Sequence, residues 1–326
     1  MIPQPAPEPA QPALERGATT AMEIRAAKMR LAFRGLREGW SIFVESRIGV
    51  IGLAVILVFA LMAISHPILM ATIWDDATYN PVTGYAFGQT EQPAPPSWAH
   101  PLGTDPLGRD VLSQLLSSTR SEFILGIVAA VVSVTIATTI GAVAAYYGGL
   151  VDTFFMRLAD LVVALPGIAL LIVLSALFEL NLFFLALILG ILGGFGGTSI
   201  VLKSQALGIS VKPYIEAARV AGGSRLHIIF VHIVPNLLPL SFLYMMFAVT
   251  SAIFSEAVLS FFGLLNIRMS WGIMIHTASQ GGYLLGGVKY WWLLVPAGAS
   301  ITLLCSTFYL VGRALDEVAN PRLRRR

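Results

Sequence analysis

The chain has 326 residues, of which 12% are charged and 56% hydrophobic, and its mean hydropathy is +0.77. Soluble proteins carry about 25% charged residues, so an ordinary soluble domain is excluded. A formal charge of +3, with no basic run interleaved with aromatics, argues against a nucleic-acid partner, and the lone Cys305 leaves no intrachain disulfide or thiolate metal site.

In chain order, residues 1–20 are rich in Pro and Ala without an apolar period, and are expected to form a disordered tail. In residues 21–47, Met22, Ala26, Met29, Phe33, Leu36, Trp40 and Phe43 alternate in steps of four and three, with Arg25, Lys28, Arg30, Arg34 and Arg37 largely off that stripe. This predicts a basic amphipathic helix in the inner-leaflet interface, or alternatively one packed on a partner or in a short coiled coil. Six uncharged runs then read as membrane spans: Ile48–Ser65, Phe123–Tyr147, Leu161–Phe178, Leu182–Leu202, Leu237–Phe254 and Leu293–Leu310. Each approaches the roughly 20 residues that a helix needs to cross a bilayer. The first run starts too far in, and lacks the cleavage pattern, for a removed signal peptide. The fold class is all-α and polytopic, with the lipid bilayer as its solvent.

The boundaries expected are a first span over 48–70, a turn-rich external segment over 71–119, a five-helix core over 120–314 and a basic tail over 315–326. Thr104 or Asp105 is expected to cap a helix with Pro106 in its first turn, leading into the second span. With a cytoplasmic N-terminus, Lys and Arg number seven in 1–47, one at Arg157, four in 203–225 and five in 313–326, against Arg109, Arg120, Arg268 and Lys289 outside. That imbalance predicts that both termini are cytoplasmic.

A polar island, "PYIEAARVAGGSRLHIIFVHIVPN", interrupts the apolar chain at 213–236. Pro213 suits a first helical turn, Gly222-Gly223 suits a helix end, and Ser224 can cap a second helix disturbed by Pro235 and Pro239. The product is a hairpin over 213–230. Ala217, Ala218 and Ala221 form a smooth face flanked by Glu216 and Arg219, which either pair together or set the register of a partner. A plain amphipathic hairpin at the membrane surface is the alternative.

"EAARVAG", nine residues, then "HIVP" resembles the EAA motif of permease subunits in bacterial ATP-binding-cassette importers. Glu216, Ala217, Ala218, Gly222 and Pro235 match the pattern, whereas His232 and Val234 stand where it broadly has Ile and Leu. "HPLGTDPLGRDVLSQLLSSTR" at 100–120, "YYGGLVDTFFMRLADLVVALP" at 146–166, "SEAVLSFFG" at 255–263 and "NPRL" at 320–323 are similar to the C-type permeases for dipeptides, oligopeptides and nickel. "GGFGGTSIVLK" at 193–203 departs from that pattern: Phe195 and Lys203 retain part of it, while Ile200 sits where an Arg is common.

The resemblance implies a type I importer permease with six transmembrane helices in a bacterial plasma (inner) membrane. It implies a coupling hairpin in which Glu216, Ala217, Ala218, Arg219, Gly222 and Gly223 meet an ATPase. It also implies a B-type permease partner, two cytoplasmic ATPase subunits that bind ATP and Mg, and an external solute-binding protein. The cargo is a peptide, a nickel complex or an oligosaccharide, and no cofactor is expected in this chain.

Four further residues are gate candidates. Glu256 is expected to shape an external gate or meet solute, with structural pairing as the alternative. Arg157 and Asp160, three apart, are expected to form an ion pair. Pro166 can kink the third span. Glycines 193, 194, 196 and 197 suit close helix packing or a hinge.

Enzyme readings lack their parts. There is no G-x-x-x-x-G-K-[ST], G-x-S-x-G or H-E-x-x-H, and Asp160 and Glu256 fall near opposite membrane faces. His227 and His232, five apart, lie about 140° apart on an α-helix, which is wrong for a shared metal. A stand-alone transporter would be expected to show inverted repeats or a charged pore ring, and neither is seen.

Overall fold

The computed structural model describes residues 37, 39–88 and 91–319. The expected tail over 1–20, most of the amphipathic helix, and the end of the basic tail lie outside the described residues. The chain divides into Met1–Ser46 and Arg47–Arg326. In the first unit residues 39–45 are helical, and Trp40 stacks on Phe43 with ring centroids 5.8 Å apart.

The second unit is all-α. Helix α1 (Arg47–Thr72) is followed by a short α2 (Asp76–Tyr79), and α3 (Val111–Tyr147) is 37 residues long. Then come α4 (Gly149–Ala164), α5 (Gly167–Leu177), α6 (Leu182–Phe195) and α7 (Gly197–Ser210). The island forms α8 (Pro213–Val220), one turn of α9 (Arg225–His227) and a π-helical stretch over Ile228–Ile233, which runs into α10 (Val234–Phe261). Helix α11 (Trp271–Gln280), a 3-10 segment (Tyr283–Tyr290) and α12 (Trp291–Ala319) complete the described chain. The helices α1, α3, α9–α10 and the stretch ending in α12 are long and apolar enough to cross a membrane unbroken.

The third and fourth expected spans take a different form: each is a bent pair. Helices α4 and α5 meet at 85° and α6 and α7 at 42°, and counting each pair as one span gives six. The first break falls at Leu165 and Pro166, both extended. Proline has no N–H and clashes with the preceding turn, so the helix ends before it.

Helix α3 is the centre of the unit and packs against α1, α6, α7 and α10. The glycines of the fourth span explain how α6 approaches so closely. A Cβ on Gly194 would sit 2.7 Å from Ile136 Cβ and 2.9 Å from the Ser133 carbonyl oxygen, and one on Gly190 would sit 2.7 Å from Val132 Cβ. Small residues let backbones approach in this way, and the packing reading fits Gly193 and Gly194. Gly196 and Gly197 instead mark the α6–α7 bend. Thr138 and Ser241 share a 2.8 Å hydroxyl hydrogen bond between α3 and α10. One apolar cluster gathers Phe59, Trp271, Trp292, Leu304 and Phe308 between α1, α11 and α12.

Helix α3 starts later than its expected cap. Asp110, not Thr104 or Asp105, accepts from the Ser113 N–H at 2.7 Å. Asp105 is occupied in the preceding loop, where it accepts from the Leu107 and Arg109 N–H groups, each at 2.9 Å, and pairs with the Arg109 guanidinium at 2.5 Å. The described residues of the 74–110 segment form a cap: His100 Nδ1 meets Asp110 Oδ2 at 2.8 Å, and the Trp292 indole donates to the Thr104 carbonyl at 3.2 Å. Burial pushes the Asp110 carboxyl above its ordinary value, while hydrogen bonds from Ser113, His100 and Leu112 oppose that push.

Candidate functional site

The hairpin opens where Lys212 is extended and Pro213 begins α8. Ile215 points inward and is fully buried, while Glu216, Ala217, Arg219 and Val220 are exposed and Ala218 is half-buried. The helix closes with the Gly223 N–H donating to the Ala218 carbonyl and the Gly222 N–H to the Arg219 carbonyl, each at 3.0 Å. Gly222 takes a left-handed φ of +83°. Such a residue closes a helix without the strain a side chain would bring there. The Ser224 hydroxyl then accepts from the His227 N–H at 3.3 Å and caps α9, as its position in the sequence suggests.

The hairpin sits on a small core. Ile215, Ile228, Ile229, Ile233 and Leu237 pack with Ala142 and Ala145 of α3 and with Ala206 and Ile209 of α7. The side turned away from that core is solvent-facing yet apolar in patches: Tyr214, Val220 and Leu226 are 42%, 85% and 60% exposed. A short rigid helix with two small residues on its outer surface and apolar neighbours can seat in another protein's groove.

Among the described residues Glu216 and Arg219 form no ion pair, so the pairing option gives way to a different contact. The Arg219 guanidinium lies over the Tyr146 ring, 5.0 Å from its centroid, and Arg225 lies over Tyr147 at 5.7 Å. These tyrosines end α3. Their signal in the sequence was an aromatic pair beside Gly148-Gly149, at the end of a span where aromatics commonly sit.

His227 and His232 correct the spacing argument. Their rings meet edge to face with centroids 5.7 Å apart, because the π-helical stretch from Ile228 brings residues five apart onto one side. Among the described residues no group of three metal-ligating side chains forms.

The remaining candidates separate widely. Arg157 and Asp160 pair at 3.5 Å on the surface, with side chains 80% and 57% exposed. Pro166 sits at the break between α4 and α5. Lys203 on α7 lies 2.5 Å from Asp152 on α4, close though not aligned as a hydrogen bond. Glu256 is fully buried, and the Ser260 hydroxyl donates to its Oε1 at 2.5 Å. Its acidic neighbour is Glu122 on α3, also fully buried, and three oxygens of the two carboxyl groups have no hydrogen-bond partner among the described residues. Glu122 was missed because it falls just before the second uncharged run and reads there as flanking charge.

Residues 137–325, which contain the hairpin, match the family described as binding-protein-dependent transport system inner membrane component. The chain belongs to this family, whose members are multi-pass inner-membrane permeases. It is 30% identical to the dipeptide transport system permease protein DppC of Bacillus subtilis (strain 168), over 89% of this chain and 86% of the relative. It is 32% identical to the oligopeptide transport system permease protein OppC of the same organism, over 87% and 88%. Against OppC of Haemophilus influenzae (strain ATCC 51907 / DSM 11121 / KW20 / Rd) the identity is 35%, over 68% and 70%.

Proposed function

We propose that this chain is one of two permease subunits of an ATP-binding-cassette importer for di- or oligopeptides, and that its hairpin transmits the work of ATP hydrolysis. The observation that carries this reading is the hairpin: a short helix held by a buried isoleucine seat, with Glu216, Ala217, Arg219 and Val220 turned outward. The names of the similar permeases support peptides as cargo. The excess of Lys and Arg on the hairpin side supports a cytoplasmic placement for the hairpin and both termini.

On this reading a B-type permease completes the pathway, two ATPase subunits hold ATP and Mg, and an external binding protein delivers solute to the 74–110 cap. The solute moves because each conformation offers a different access and affinity. Pro166 and the Arg157–Asp160 pair lie on the bent third span, which on this reading changes its angle with the state, and Glu256 is a gate candidate inside the bundle.

The test is to express the chain with its neighbouring permease and ATPase subunits and to measure co-purification and ATP turnover. The wild-type complex is expected to assemble and to respond to binding protein. Gly222→Asp and Glu216→Ala are expected to uncouple or dissociate it. A chain that never retains an ATPase, with variants that change nothing, would make a stand-alone transporter the better account. Uptake of nickel or oligosaccharide in place of peptides would revise the cargo alone.

A further inference from the structure

The hairpin's apolar seat explains why it stays on the membrane core but not what stops it from sliding. On α3's side of that seat the buried residues are Ala142 and Ala145, both small and smooth, with Val143 and Tyr146 packed at its edge. Lateral grip needs something directional, and the two arginine–tyrosine contacts supply it. Arg219 precedes the Gly222-Gly223 turn and Arg225 follows it, so the turn is held from both sides. Both rings belong to consecutive residues, Tyr146 and Tyr147, set edge to face with centroids 5.6 Å apart. Among the described residues neither guanidinium has an acidic partner, so the ring faces are its main attraction.

The same helix reaches the opposite face. Helix α3 runs without a break from Val111 to Tyr147, about 55 Å at 1.5 Å per residue. Its first turn is fixed in the 74–110 cap through Asp110, which His100 and the Ser113 N–H both engage. Trp271 also donates to the Leu115 carbonyl at 3.3 Å in its second turn.

We propose that Tyr146 and Tyr147 are positioning residues that clasp Arg219 and Arg225, so that displacement of the hairpin is delivered through α3 to the cap on the far face. This rests on the coupling reading of the hairpin and adds the element through which the movement passes. A cation over an aromatic face is attracted by the ring's quadrupole, so the clasp depends on the ring and not on the tyrosine hydroxyl.

The experiment uses the whole complex in proteoliposomes, with external binding protein and a tryptic digest of casein as the peptide source. The readout is the ratio of ATP hydrolysis with and without binding protein. With Tyr146→Leu and Tyr147→Leu together the ratio is expected to fall about fivefold to thirtyfold, the equivalent of two lost exposed cation–π contacts. With Tyr146→Phe and Tyr147→Phe it is expected to stay at the wild-type value. Trifluorophenylalanine at both positions keeps the shape and withdraws charge from the ring face, so the ratio should fall between the two.

A full ratio in the Leu variant overturns the clasp and leaves the coupling reading intact. So does an equal loss in the Phe variant, which would assign the effect to the hydroxyl. If the Leu variant fails to assemble, the fluorinated pair decides: a ratio equal to that of the Phe variant overturns the clasp. A wild-type complex that holds no ATPase overturns the coupling reading, and the clasp with it.

Discussion

At the scale of single residues, the least expected feature is the pair of carboxylates inside the bundle. A charge at mid-membrane costs about 2.5–3.5 kcal/mol on insertion scales, and two acidic side chains facing one another could not both be ionised without adding repulsion to that cost. Glu256 has the Ser260 hydroxyl on one oxygen, while its other oxygen and both of Glu122's are buried without a hydrogen-bond donor. Glu122→Gln brings an amide N–H to this cluster in nearly the same volume. Satisfying a buried polar atom is worth about 1–3 kcal/mol, so the variant is expected to unfold at a higher temperature than the wild type. The unfolding midpoint of the purified protein in detergent checks this. A lower midpoint would mean that Glu122 makes a favourable interaction as the acid.

At the scale of elements, the hairpin turn shows two glycines needed for different reasons. Gly222 has no atom within 4 Å of where a Cβ would stand, and its requirement is the positive φ. An L-residue there costs about 1–2 kcal/mol and disturbs little else. Gly223 has an ordinary φ, but its Cβ would lie 2.8 Å from the Ala218 carbonyl oxygen, backbone that cannot rotate away. Gly223→Ala is therefore expected to open the turn and accelerate amide hydrogen exchange over residues 218–227 more than Gly222→Ala does. Equal protection in the two variants would remove the clash from this account. The helix, turn and cap of this hairpin were legible because Pro213, Gly222 and Ser224 each act on their immediate neighbours. The six apolar stretches were legible for a similar reason, since hydrocarbon length is read directly from composition. What escaped depends on contacts across the fold or on a departure from the α period. Asp105 reads as a cap until Arg109 and the backbone of its own loop claim it. His227 and His232 read as divergent until the helix between them widens to a π turn. Lys203 reads as a remnant of a basic pattern until α4 brings Asp152 beside it.

For the whole molecule, the coupling reading turns on which face looks into the cell, because the hairpin can meet an ATPase only from the cytoplasm. Seventeen of the 21 Lys and Arg residues fall in segments assigned to one side, and Arg109, Arg120, Arg268 and Lys289 to the other. Translocation of Lys and Arg is disfavoured in short loops, so the hairpin side is expected inside and the cap side outside. The molecule offers a direct measurement, since Cys305 is its one cysteine. It sits within α12, where its thiol points to the Thr250 carbonyl at 3.7 Å, a contact that a serine hydroxyl can also make. On a Cys305→Ser background, Trp98→Cys probes the cap at a fully exposed position, and Val220→Cys probes the hairpin at one 85% exposed. A membrane-impermeant maleimide applied to spheroplasts is expected to label Trp98→Cys and to spare Val220→Cys until the cells are broken. In a complex that holds its ATPase subunits, Val220→Cys should stay protected even after breakage, because the partner's groove would cover it. Labelling of Val220→Cys in intact spheroplasts would invert the protein in the membrane and remove the hairpin from any cytoplasmic partner. Free labelling in the broken, ATPase-bound complex would keep the orientation and move the docking surface elsewhere on the same face.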